Sequence, residues 1–198
     1  VTYIDDKQYD KAISLLEKVL KDSLLIDNKD EYARVLDNLA YAKFLSGKED
    51  KVDSFVRALE MRIQNNDDRG LIASYTHLGE FYSKDDPKKA KSYFNEVIAL
   101  SKTIKKPLAE KDALKFLMQL EPANVNLRDR YIFLQDSLYE QELNVKTQFA
   151  KYKYDDKEKQ EENLRLEKEN AEKALEINRQ RTQKMILFFG LALLLSGL

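Results

Sequence analysis

The chain has 198 residues, 43% hydrophobic and 35% charged, with a net charge of −1 and no cysteine. This length accommodates one ordinary domain with an extension rather than two large domains. The balanced charge gives no basic field for nucleic acid, and the missing cysteines exclude disulfides, zinc–thiolate sites and thiol nucleophiles. Five Gly and three Pro are few breakers, and with many Leu, Ala, Lys and Glu the composition is that of an all-α protein.

From the N-terminus, three stretches share one pattern: YIDDKQYDKAISLLEKVL (3–20), NLAYAKFLSGKEDKVDSFVRAL (38–59) and HLGEFYSKDDPKKAKSYFNEVIAL (77–100). Each reads as the end of an apolar helix, a polar turn and a second amphipathic helix. Superimposing Ala12, Val52 and Ala90 aligns Leu16, Val56 and Phe94, then Val19, Leu59 and Val97, on an i, i+4, i+7 stripe. The acidic pairs Asp5-Asp6, Asp67-Asp68 and Asp85-Asp86 fall before helices, where caps are expected. Asp86-Pro87 reads as an N-cap followed by proline at the first helical position. A fourth pair follows, with one helix from Pro107 through Ala113, Leu114 and Leu117. After a turn at Glu121-Pro122, a second helix turns Leu127, Tyr131, Leu134 and Leu138 inward. The polar connectors at 26–31, 64–70 and around 105–107 recur at the spacing a stacked array requires.

Beyond Leu138 the turn signals cease. Residues 139–184 contain no Gly or Pro, and from Lys151 to Lys184 more than half the residues are charged. Opposite charges recur four apart, including Glu161 with Arg165 and Glu169 with Lys173. A thin apolar seam passes through Leu143, Ala150, Tyr154, Leu164, Ala171, Leu175 and Met185, interrupted at Lys157, Glu161, Lys168, Asn178 and Thr182. Two readings remain open: a solvated single helix held by ion pairs, and a weak parallel coiled coil forming a homodimer through the stalk. After Lys184 no residue is charged. That run of about 14 residues is shorter than the roughly 20 needed to span a bilayer, and it reads as the start of a truncated transmembrane helix.

Leu78-Gly79, Tyr82, Ala90 and Phe94 resemble the signature of the tetratricopeptide repeat, a helix-turn-helix unit that stacks into a solenoid. The resemblance extends over residues 1 to about 140 and implies about three and a half to four repeats in 1–138, followed by a stalk at 139–184 and a membrane segment at 185–198. In such repeats the first helices line a concave groove. The resemblance maps that groove onto Arg34, Asp37, Tyr41 and Phe44 in the second repeat and onto Thr76, Glu80, Ser83 and Lys84 in the third. A surface mixing charge with aromatic rings suits a peptide or protein ligand.

The order of repeats, charged helix and apolar run, with RDRYIFLQDSLYEQELNVKTQFAKYKYD (128–155) and EENLRLEKEN (161–170), resembles bacterial membrane-anchored signalling proteins. These join repeats outside the cytoplasm through one inner-membrane span to a histidine kinase of a two-component system or a helix-turn-helix regulator. The resemblance implies a sensor; a tether that assembles partners without signalling is the alternative. Arg179, Arg181 and Lys184 beside the apolar run would instead place the stalk in the cytoplasm, whereas the resemblance places the repeats in the periplasm. No catalytic site is expected in these residues. There is one histidine, His77, and neither a phosphate-binding Gly-rich loop nor a G-x-S-x-G motif occurs. No cofactor or metal is implied.

Overall fold

The computed structural model describes the backbone of residues 2–22, 25, 28–48 and 51–196, with side chains as far as Leu191. The protein is all-helical, with no strand among the described residues. The helices are α1 (Thr2–Asp5), α2 (Tyr9–Leu20), α3 (Lys29–Leu45), α4 (Val52–Gln64), α5 (Asp68–Tyr82), α6 (Pro87–Thr103), α7 (Pro107–Leu120) and α8 (Val125–Ser196). Ile26 and Asp27 of the first connector, and Gly197 and Leu198 of the expected membrane segment, lie outside the described residues. The chain divides into two compact units, Val1–Tyr139 and Glu140–Leu198.

In the first unit each helix from α2 to α7 packs on its neighbours in sequence, and α3 also meets α5, as α5 meets α7. The helix starts are fixed locally. Asn28 accepts from the Glu31 backbone N–H, Asp67 from that of Gly70 and Asp86 from that of Lys89, with Pro87 opening α6. Each cap satisfies one N–H that the first turn leaves without a partner. Asp5 instead lies inside α1, and the residue before α2 is Gln8.

The turns repeat as well. Lys7 and Gly47 take positive φ (58° and 70°) after α1 and α3, and Asn66 and Lys105 do so (53° and 55°) after α4 and α6. After each of the latter two, a backbone N–H reaches back to close the helix: Asp67 to the Arg62 carbonyl (3.0 Å) and Lys106 to that of Ser101 (2.8 Å).

The core corrects the register expected for the second repeat. In α6 the buried stripe is Ala90, Phe94, Val97 and Ser101, but in α4 it is Phe55, Ala58 and Arg62. Val52, Val56 and Leu59 are only half-buried. Phe55 therefore occupies the place of Phe94, 39 residues earlier, and packs with Ala40 and Leu78 as Phe94 packs beneath Gly79. One residue of slip rotates a helix by about 100°, enough to exchange a core face for a flank. Gly79 is required by that close approach, since a Cβ there would stand 2.6 Å from the Phe94 ring.

The start of α8 docks on this body. Leu134 is buried, Leu127 packs against the cluster around Phe94 and Leu117, and Arg130 forms a two-pronged ion pair (2.8 and 3.1 Å) with the buried Glu110 of α7.

The second unit is one helical stretch. From 140 to 191 every residue is exposed except Glu169, which is half-buried. Its ion pairs are Glu142–Lys146 (2.7 Å), Lys157–Glu161 (3.8 Å) and Arg165–Glu169 (3.2 Å). Glu161 and Glu169 thus each pair with the cation four residues before them, not the one four after. Helical backbone continues through residues 139–156 without a break. Among the described residues no helix is long and apolar enough to cross a membrane.

Candidate binding groove

The facing sides of α3 and α5 carry a layered cluster. At its base lies Arg62 of α4, whose Nη1 donates to Asp37 Oδ2 (2.8 Å), the Gly70 carbonyl (2.8 Å) and Ser74 Oγ (2.6 Å). Both charged side chains are almost wholly removed from water, at 3% and 1% exposure. Pairing is what makes their burial tolerable, because an isolated charge there would face a desolvation cost of several kcal/mol. Gly70 is the small residue that admits this guanidinium: a Cβ at that position would stand 2.6 Å from Arg62 Nε. Among the described residues, Asp37 Oδ1 and Arg62 Nε have no hydrogen-bond partner.

Above this base, His77 Nδ1 lies 3.0 Å from the same Asp37 Oδ2, and the imidazole stacks on Tyr41 at 3.8 Å between ring centres. The Tyr41 hydroxyl then donates to both carboxylate oxygens of Glu80, each at 3.0 Å. Burial pushes the Glu80 carboxyl above the ordinary range, opposed by the Tyr41 hydrogen bond and the nearby His77. Burial, followed by the Glu80 charge, pushes the Tyr41 hydroxyl far up, so Tyr41 is a neutral donor at physiological pH. The row Arg62–Asp37–His77, with Tyr41 and Glu80 continuing it, ties α3, α4 and α5 together with polar contacts.

Beside the row opens a cavity of about 620 Å³ lined by Arg34, Asn38, Arg62, Arg69, Ala73 and His77, together with Gly70 and the acids Asp30, Glu31 and Asp67. Arg69 also borders a second, more apolar cavity of about 460 Å³ that includes Ile72, Pro107 and Leu108. The first lies against α3 and α5 and is lined mostly by charged residues; the second lies against α5 and α7.

The eight residues expected on the groove fall into three groups. Arg34 reaches the cavity while paired with Glu31, and Tyr41 and Glu80 are joined directly. Phe44 is half-buried against Phe81, with ring centres 5.4 Å apart. Asp37 is a correction: it is buried and supports the groove from beneath, because Arg62 needs its charge. Thr76 and Ser83 direct their hydroxyls to carbonyls of their own helix, at Ile72 (2.8 Å) and Gly79 (2.7 Å), and Lys84 lies exposed past the end of α5. Of the eight, only Arg34 lines the cavity. Arg62, Asn38, Arg69 and His77 were not expected there. The missed signal was an arginine seven residues after Phe55, on the buried stripe once the register is set by the aromatic ring.

No family model matches the chain, and no curated protein matches it.

Proposed function

We propose that the first unit is a tetratricopeptide-type binding module whose groove, between α3 and α5, holds an extended segment of a protein or peptide. The observation that carries this reading is the cavity lined by Arg34, Asn38, Ala73 and His77. It is an open, mixed surface braced by the buried Asp37–Arg62 pair rather than filled by core side chains. Rigid support beneath adaptable polar groups is what a recognition groove requires. The 39-residue recurrence of Phe55 with Phe94 and Asn66 with Lys105 supports the repeat reading.

The proposal continues to the second unit. The exposed charged helix is a stalk that pairs with a second copy, and the uncharged run after Lys184 attaches it to a bacterial inner membrane. Ligand in the groove biases one stalk arrangement and so signals to an output elsewhere in the protein, with the groove on the periplasmic side. Coupling of this kind requires only that the ligand bind the two arrangements with different affinity. The second reading, a tethered scaffold that assembles partners, draws on the same groove and omits the signal.

Selection from a random peptide library tests the groove. Peptides enriched on the chain are expected to lose at least tenfold in affinity for Ala73→Trp, which fills the cavity, and little for Lys115→Trp on α7. Equal binding to both variants would sink the groove assignment.

A further inference from the structure

The start of α8 has two faces. On one, Leu134 is buried, Leu127 packs on the cluster around Phe94 and Leu117, and Tyr131 and Leu138 are half-buried. Opposite them, Val125, Ile132 and Tyr139 recur every seven residues and are 51%, 49% and 65% exposed, against 5% for Leu134. At about 100° per residue these three lie within a narrow stripe. We infer that this stripe, on the folded body rather than on the stalk, is where a second copy of the chain docks, helix alongside helix in parallel.

The charges beside the stripe identify the occupant. Helical spacing puts Arg128 on one edge and Asp129 and Asp136 on the other. Among the described residues, none of these three side chains has a hydrogen bond or ion pair within the chain. When two identical helices pair in parallel, the left edge of one meets the right edge of the other, so Arg128 faces the partner's acidic edge. Antiparallel pairing would bring like edges together and set aspartate against aspartate. β-branched Val125 and Ile132, seven apart, also suit the matched layers of a two-stranded parallel pair.

Size sets the strength. The stripe occupies 15 residues, about 22 Å of helix, and cannot bury the roughly 800 Å² per partner of a standard stable interface. It is therefore a weak contact that forms where local concentration is high, as when two chains are already tethered. The inference depends on neither the groove ligand nor the membrane attachment.

Because the chain has no cysteine, single replacements give a clean readout. Val125→Cys and Tyr139→Cys, each in the full chain and treated with a short bismaleimide, are expected to give same-site dimers several-fold above Lys115→Cys on α7. A mixture of the two variants should give no mixed product above background, since the sites are 14 residues, about 21 Å, apart along the helix. Arg128→Glu should lower the Val125→Cys yield several-fold, and adding Asp129→Arg and Asp136→Arg should restore it. Yields equal to the Lys115→Cys control, or a predominant mixed product, would overturn the inference. Leu164→Cys in the same assay reads stalk pairing separately: dimers there without dimers at Val125→Cys would end this proposal and leave the stalk reading standing.

Discussion

The two units share one backbone conformation and are held in it by different forces. In Val1–Tyr139, helices lean on one another, and Phe55, Leu78 and Phe94 are fully buried. In Glu140–Leu198 no described side chain is buried, and the helix relies on residue propensity and ion pairs four apart. Burial of an aromatic or aliphatic side chain contributes about 1.5–3 kcal/mol, whereas such ion pairs contribute about 0.2–0.5 kcal/mol each. The first unit can therefore hold a fixed groove. The second has little to fix a single arrangement without a partner, as the proposed change in stalk pairing would require.

The largest expected effect should appear in the first unit alone. Phe94→Ala removes a fully buried ring and should cost about 3–5 kcal/mol in urea unfolding, while circular dichroism of a 140–196 peptide is by construction indifferent to it. Asp37→Ala should cost a similar 3–5 kcal/mol by stranding Arg62 as a buried charge. The double variant Asp37→Leu/Arg62→Met should recover most of that loss. If the single substitution were harmless, the pair would not be the brace described above.

Gly79→Ala presses a methyl against the Phe94 ring and should cost about 1–3 kcal/mol, read from the same denaturation midpoint. Glu80 sharpens the comparison through pH. Its carboxyl is held above the ordinary 4.5 by burial, so just above that value the folded chain keeps a proton that the unfolded chain has released. Stability should then fall as pH rises through that window. Glu80→Gln should flatten this slope and leave the neutral-pH stability equal or higher, as seen in thermal melts across pH. The smallest effect belongs to the stalk: Glu169→Gln should lower helix stability by no more than about 0.5 kcal/mol, visible as reduced ellipticity that added salt mimics.

Much of the helical layout was legible because its signals are local. Asp86-Pro87 and Asp67 each cap the helix they precede, and Ala113, Leu114, Leu117 and Leu134 face inward as their spacing requires. The face of α4 was less legible. Val52, Phe55, Val56 and Leu59 are all apolar, so hydrophobicity alone fits two registers one residue apart. Only the fit of Phe55 against Ala40 and Leu78 selects between them. The groove inherited that ambiguity. Asp37 reads as a surface acid until Arg62 is known to be buried beside it, and Thr76 and Ser83 read as ligand contacts until their hydroxyls are traced to their own helix. The stalk's pairing partners were similarly open, since Glu161 and Glu169 each have a cation four residues away on both sides.

The most direct test joins the groove to the stalk. A peptide selected on the groove is added at saturation to the Leu164→Cys chain, and the bismaleimide dimer yield is measured with and without it. A several-fold change in yield, absent when Ala73→Trp blocks the cavity, is expected if binding shifts how the stalk pairs. An unchanged yield at full occupancy would contradict coupling and leave a binding module that signals nothing through this helix.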